Sequence, residues 1–306
     1  MTRPALHDPV DAILARDRDA IEAALRHVVE LRLRGVDPRI ASPIRYAVES
    51  GGKRLRPILC VAAMSAVRGA PVAAAVYDAA CAIELVHTYS LVHDDLPCMD
   101  DDEIRRGRPT AHRVFGTRDA AVAGAAMIPL ACAVLDEAAA VLELDATHRI
   151  EVVSELTRAA GAAGMVGGQL LDLEAEGRDV DAGQLEAIHT RKTGALFRAA
   201  MRIGARLAGA PEPIVTAMGD CGQAIGLAFQ VTDDILDVTG DAGILGKSAG
   251  RDHVQRKATY AALMGVDGAR ARATAAADAA TRALHAAGVR HDPIDRLVQF
   301  AVSRDR

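Results

Sequence analysis

The chain has no tryptophan and only four phenylalanines and four tyrosines among its 306 residues, and no segment sustains an alternation of apolar and polar positions. That speaks against a sheet protein, whose strands draw on aromatic and β-branched side chains. The five cysteines, Cys60, Cys81, Cys98, Cys132 and Cys221, form no CxxC pair and no dense framework. A disulfide scaffold and thiolate metal sites are therefore not expected, and a reducing, cytoplasmic setting is. No Pro/Gly/Ser-rich linker or low-complexity run divides the sequence, which points to a single domain over residues 1–306. The longest uncharged run, Ala120 to Leu135, is sixteen residues. It is short for a membrane span and reads as a buried helix. Near the N-terminus, Asp8, Asp11 and Asp17 interrupt the apolar residues, so the apolar core of a signal peptide is missing. A formal net charge of −5 argues against a nucleic-acid or anionic-membrane partner, which would select a basic face.

What the chain has in abundance is alanine, and half of its residues are apolar, so it reads as nearly all helix with a large core. Val76, Ala79, Ala80, Ile83 and Val86 follow the i, i+3, i+4, i+7 rule, while Ala75, Ala82 and Leu85 make the opposite side apolar too. Such a helix belongs in the middle of a bundle. Pro97 cannot continue it, so it should end near Asp95. A second central helix is expected from about 214 to 238, with Met218, Cys221, Ile225, Ala228 and Val231 or Thr232 on one stripe and Gly240 just beyond. Further helices are expected around 18–33, 42–49, 54–67, 120–142, 148–174, 182–207, 256–263 and 266–286.

Both central helices end in carboxylates: Asp94-Asp95-Leu96-Pro97-Cys98-Met99-Asp100 and Asp233-Asp234-Ile235-Leu236-Asp237. Acids at a helix C-terminus oppose its dipole. Two carboxylates 4 Å apart repel by about 4 kcal/mol at an effective dielectric of about 20. A cation relieves both penalties. Asp233 and Asp237 lie one turn apart on one helix face. Asp94 and Asp100 would be turned by about 240° on a continuous helix and can meet only because Pro97 breaks it. Oxygen ligands without His or Cys point to a hard cation, Mg²⁺ above all, shared between a few carboxylates and substrate phosphate.

The basic residues stand where a phosphorylated ligand needs them. Gly51-Gly52-Lys53-Arg54-Leu55-Arg56-Pro57 opens a helix, Arg105 and Arg106 follow the first acid cluster, and Lys192, Lys247 and Lys257 accompany the second. Together they describe a site for two diphosphates, one held through metal and one through Arg and Lys forks.

With those segments, with His87 to Asp101 (HTYSLVHDDLPCMDD), Gly167-Gly168-Gln169, Lys192-Thr193-Gly194, Phe229-Gln230-Val231-Thr232-Asp233-Asp234, Leu245-Gly246-Lys247 and Lys257-Ala258-Thr259-Tyr260, the chain resembles the trans-isoprenyl diphosphate synthases, especially their bacterial farnesyl diphosphate synthase branch. The resemblance implies an all-α bundle around a deep central cavity and usually a homodimer. It implies that Asp94, Asp100 and Asp233 are metal ligands, with Asp95 and Asp237 supporting or sharing several Mg²⁺ ions. Arg105, Lys192 and Lys247, with Lys257 more weakly, would grip the allylic diphosphate. Lys53, Arg56, His87 and Arg106 would hold isopentenyl diphosphate, while Gln169, Thr193, Phe229 and Gln230 would line the reacting centre.

The chemistry asks for these residue types. Breaking an allylic C–O bond releases diphosphate and leaves a carbocation, so negative charge must be absorbed and water kept out. The double bond of isopentenyl diphosphate then attacks and a proton is lost. No His or Glu is placed as a base for that proton, and in the family the departing diphosphate is thought to take it. Tyr89 stands five residues, about 7.5 Å, back along the helix from Asp94, although Ser90 shares Asp94's face more closely. In the family a ring at Tyr89, with two extra residues in the first acid cluster, goes with fifteen-carbon products. A geranyl or geranylgeranyl diphosphate synthase would use the same machinery. A class I terpene cyclase fits less well, because Lys53 to Arg56 would have no second substrate, and a non-catalytic partner subunit should have lost some of the carboxylates. Two positions depart from the bacterial pattern: Gly124-Ala125-Ala126-Met127 replaces the usual Gly-Asp-Ala-Leu, and Ala261 replaces a proline.

Overall fold

Alanine-rich segments with helical apolar periodicity fold here as helices almost throughout. The computed structural model describes residues 9–69, 72–239 and 259–303. The helices are α1 (Pro9–Arg32), α2 (Pro38–Val48), α3 (Leu55–Arg68), α4 (Ala74–Asp94), α5 (Ala111–Phe115), α6 (Thr117–Val141), α7 (Ala146–Ala160), α8 (Met165–Ala175), α9 (Ala182–His189), α10 (Ala195–Leu207), α11 (Glu212–Thr239), α12 (Tyr260–Ala286) and α13 (Asp292–Ser303). Lys247, Lys257 and Gly240, and the start of the helix expected over 256–263, lie outside the described residues.

The two expected central helices are there. In α4, Val76, Ala79, Ala80, Ala82, Ile83, Leu85 and Val86 have no exposed surface, so the helix is enclosed on all sides, packed chiefly on α6 and also on α3 and α1. In α11, Met218, Cys221, Ile225, Ala228 and Val231 are likewise sealed, against α12 and α10. Each fully buried Val, Leu or Ile contributes about 1.5–3 kcal/mol. The two helices that carry the acid clusters are therefore firmly held in the bundle.

Several sequence expectations need correction. The helix expected over 148–174 is two helices, because Gly161 and Gly164 break it between α7 and α8. The one expected over 182–207 contains a widened π-helical turn, Thr190–Gly194, between α9 and α10. The break expected between the helices over 256–263 and 266–286 is present, by contrast, as the kink at Gly265 within α12, with φ +72°. A short antiparallel hairpin pairs Ile104–Arg105 (β1) with Arg108–Pro109 (β2) where only helix and loop were anticipated. Helix α13 was not anticipated at all. The apolar run at Ala120 to Leu135 is a helix, but only one face of it is buried: Val122, Ala125, Pro129 and Ala133 are exposed.

Candidate active site

Helix α4 ends at Asp94, and Pro97 turns the chain back as its sequence requires. The Asp100 amide donates to the Asp94 carbonyl over 2.9 Å, so the two expected ligands of the first cluster do meet at one turn. Burial pushes the Asp94 carboxyl up to about 6; Asp100 and Asp95 add to that, while Lys192 and Arg105 pull it back. A divalent cation reverses that sign. Asp95 turns inward and is buried, accepting from Arg105 Nε at 2.9 Å and from the same guanidinium's Nη2, which also reaches Asp102 at 2.8 Å. Asp95 thus anchors Arg105, a supporting part in keeping with its place beside the cluster.

Lys192 sits in the π-helical turn, whose extra residue rotates it away from the regular helix register. Its Nζ lies 2.5 Å from Asp172 Oδ2 on α8. Burial works against its charge, but Asp172, Asp94 and Asp100 outweigh burial and hold its pKa above the usual lysine range. The approach of α8 is possible only because residue 168 is glycine: a Cβ there would lie 2.1 Å from the Lys192 amide nitrogen. Asp172 was not singled out in the sequence. Its signal was the spacing Gly-Gly-Gln-x-x-Asp, which places it one turn beyond Gly168. Next to Gly168, both amide atoms of Gln169 are buried and have no hydrogen-bond partner among the described residues, so their hydrogen-bonding capacity is left over within the fold.

The second cluster is reached through the same turn. Thr193 Oγ1 donates to Gln230 Oε1 at 2.9 Å, Gln230 Nε2 donates to Asp234 Oδ1 at 3.1 Å, and Asp234 Oδ2 accepts from the Tyr260 amide at 2.9 Å. Asp234 is buried and ties α11 to the start of α12. Asp233 and Asp237, on either side of it, stay half-exposed, and Asp233 lies near enough to Arg56 to support its charge.

On α3 the basic segment closes the third side. Arg56 Nη1 lies 3.3 Å from His87 Nε2, and its guanidinium stacks 4.5 Å over Phe197. Lys53 Nζ lies 5.7 Å from the Phe229 ring, which tilts against Phe197 with centroids 5.5 Å apart. Burial and then Arg56, Arg106, Arg54 and Arg105 drive the His87 pKa well below its usual value. His87 is therefore a neutral hydrogen-bonding group among cations. Arg106 lies on the Gly52 backbone and donates to the Gly51 carbonyl. Phe197, which sequence reasoning missed, has no acid or polar motif to mark it. Tyr89 is buried one turn below His93, their rings 4.7 Å apart edge to face, and Ser90 Oγ donates to the His87 carbonyl.

Among the described residues no three carboxylate, imidazole or thiolate groups converge as a prebuilt metal cage. The donors present are all oxygens on half-buried aspartates, the chemistry a hard cation takes when substrate phosphate completes its shell. The residues fit Mg²⁺ in that sense.

The model of one protein family, Polyprenyl synthetase, matches residues 37–290. The chain is 37% identical over 296 residues to a farnesyl diphosphate synthase of Geobacillus stearothermophilus, covering 97% of this chain and 98% of that one. It is also 41% identical over 273 residues to the large subunit 1 of a heterodimeric geranylgeranyl pyrophosphate synthase of Arabidopsis thaliana, covering 88% and 72%. Among solved structures, a Helicobacter pylori geranyltransferase complexed with magnesium and isoprenyl diphosphate superposes with a TM-score of 0.80 at 28% identity, covering 98% of each chain. The arginines and lysines gathered near the aspartates of α4 and α11 and these likenesses converge: the chain belongs to the polyprenyl synthetase family and is a prenyltransferase that joins isopentenyl diphosphate to an allylic diphosphate.

Proposed function

We propose that the protein makes farnesyl diphosphate, extending dimethylallyl and then geranyl diphosphate, as one domain over residues 1–306. The observation that carries the product length is Tyr89. It is buried on the helix that descends from Asp94, and the next residues down, Val86 and Leu85, have no accessible surface at all. A growing chain that follows α4 from Asp94 would meet the ring, with the packed Val86 and Leu85 one turn further on. Ser90 lies at the same level and sets the width of that passage.

In this reading Asp94, Asp100 and Asp233, supported by Asp95 and Asp237, hold Mg²⁺ on the allylic diphosphate, and the bound ions would neutralise charge on the leaving group. Arg105, Lys192 and Lys247, with Lys257, grip the same diphosphate directly. Asp172 keeps Lys192 charged and aimed at Asp94 and Asp100. Lys53, Arg56, His87 and Arg106 bind the diphosphate of isopentenyl diphosphate, with His87 as neutral donor and acceptor. Thr193 and Gln230 present polar oxygens to the ionising carbon; the Gln169 amide and the Phe229 ring complete the wall that excludes water. The relatives' mixture of products is what the shared machinery predicts.

Incubation with Mg²⁺, isopentenyl diphosphate and dimethylallyl diphosphate, followed by chromatography of the dephosphorylated alcohols, tests the reading. A fifteen-carbon alcohol from the wild type and longer alcohols from Tyr89→Ala are expected. A twenty-carbon product from the wild type, or an unchanged profile in the variant, would remove Tyr89 as the floor.

A further inference from the structure

The loop that opens α3 is bent in a way few side chains tolerate. Gly51 and Gly52 have φ of +77° and +137°, and Arg54, the residue just before the helix, has φ +50°. A left-handed conformation at a non-glycine residue is strained, and although the Arg54 carbonyl accepts from the Ile58 amide of α3, its side chain makes no cap hydrogen bond to that helix. The offset lies inside the protein. The Arg54 side chain is fully buried and makes three separate anchors: Nη1 to Glu84 Oε1 at 2.6 Å, Nε to Glu22 Oε1 at 2.8 Å, and Nη2 to the Val48 carbonyl at 2.7 Å. Glu84 is itself buried, in the middle of α4. One guanidinium thus bolts the loop to α1, α2 and α4 together.

Its neighbours are the residues that face the ligand. Lys53 precedes it and lies against Phe229; Arg56 follows it and lies against Phe197 and His87. From the outer side the Arg106 guanidinium rests on Gly52, so close that a Cβ there would meet it at 2.7 Å. The loop is clamped between Arg54 within and Arg106 without. A buried ion pair is seldom retained for stability alone, since apolar replacements of similar volume are often as stable.

We propose that Arg54 is a positioning residue for the second diphosphate: pinned by Glu84 and Glu22, it fixes the loop shape that presents Lys53 and Arg56, without touching the ligand itself. This rests on the assignment of Lys53, Arg56 and His87 to isopentenyl diphosphate.

The test uses the full chain, with isopentenyl diphosphate varied at saturating geranyl diphosphate and the converse, in Arg54→Lys, Glu84→Gln and Glu22→Gln. Positioning predicts that Arg54→Lys and Glu84→Gln each raise KM for isopentenyl diphosphate by about tenfold or more. KM for geranyl diphosphate and kcat should stay within about threefold. Glu22→Gln should move the same parameter the same way by less. A purely through-space charge effect predicts the opposite sign for Glu84→Gln, which removes a negative charge beside an anion site, and no change for Arg54→Lys; either result overturns the proposal. A merely structural role lowers kcat and raises both KM values in step with a fall in melting temperature, which also overturns it. If the two buried variants do not fold, Glu22→Gln decides, since Glu22 is partly exposed: an unchanged KM for isopentenyl diphosphate refutes the positioning role. A wild-type enzyme with no saturable dependence on isopentenyl diphosphate would instead overturn the assignment of the site, and the positioning role with it.

Discussion

Asp94 is the last residue of α4, whereas Asp233 lies nearly two turns inside the C-terminal end of α11. In the proposed mechanism both hold metal on the departing diphosphate, so removing either carboxylate would leave its charge uncompensated in the transition state. Asp94→Ala and Asp233→Ala should each lower kcat by about a thousandfold or more, with fold intact by circular dichroism; near wild-type turnover in either would remove the metal mechanism. His189 illustrates a different residue effect. Burial lowers its pKa from 6.5 to about 4, with Lys192 lowering and Asp172 raising it. The unfolded chain therefore takes up the proton first. The neutral ring stabilises the fold fully above pH about 6.5, and that contribution, of order 3 kcal/mol, is lost as pH falls toward about 4. Burial lowers His87 and His291 in the same direction. Melting temperature should thus fall on acidification from pH 7 to 4.5, and His189→Gln should flatten that slope; a parallel slope would refute the role of His189.

At the scale of elements, the site depends on close approach of backbones as much as on side chains. The π-helical turn at Thr190–Gly194 and α8 can touch only across Gly168, where a Cβ would stand 2.1 Å from the Lys192 nitrogen and 2.5 Å from its Cα. Both atoms are backbone and cannot step aside. Gly168→Ala should destabilise the protein by about 2–3 kcal/mol and weaken allylic diphosphate binding through Lys192, read by thermal melting and by KM for geranyl diphosphate. Unchanged values of both would mean the turn is not held by that contact. The departure at Ala125 also belongs here. Ala125 is on the exposed face of α6, so the polar group lost from Gly-Asp-Ala-Leu is lost from the helix exterior and not from the core. The helix is intact across it.

At the scale of the whole molecule, α6 is the described helix long and apolar enough to span a membrane by length and composition, yet its inner face lies on α4. The outer face, with Val122, Ala125, Pro129 and Ala133, carries no charge for four turns. The homodimer expected from the family resemblance would bury that face against a second copy. Light scattering should give twice the chain mass, and Val122→Lys with Ala133→Glu should shift the mass toward the monomer; a monomeric wild type would leave the face unexplained.

The sequence by itself determined the helical class, the two central helices and the carboxylates at their ends, because apolar periodicity, alanine content and helix breakers act within a turn or two of each residue. Pro97 is the clearest instance: it alone implied that Asp94 and Asp100 meet. The breaks at Gly161 and Gly164 and the π-helical turn at Lys192 were hidden, since glycine is tolerated within helices and a one-residue widening leaves the apolar pattern nearly unchanged. Only the tertiary structure decided which of several similar charges serve which purpose. Asp95 and Asp234 look like their half-exposed neighbours in sequence, but they turn inward to Arg105 and to the Tyr260 amide; Arg54 looks like Lys53 and Arg56, yet points into the core. The direction of a side chain at a helix end is set by partners distant in sequence, and no local pattern encodes them.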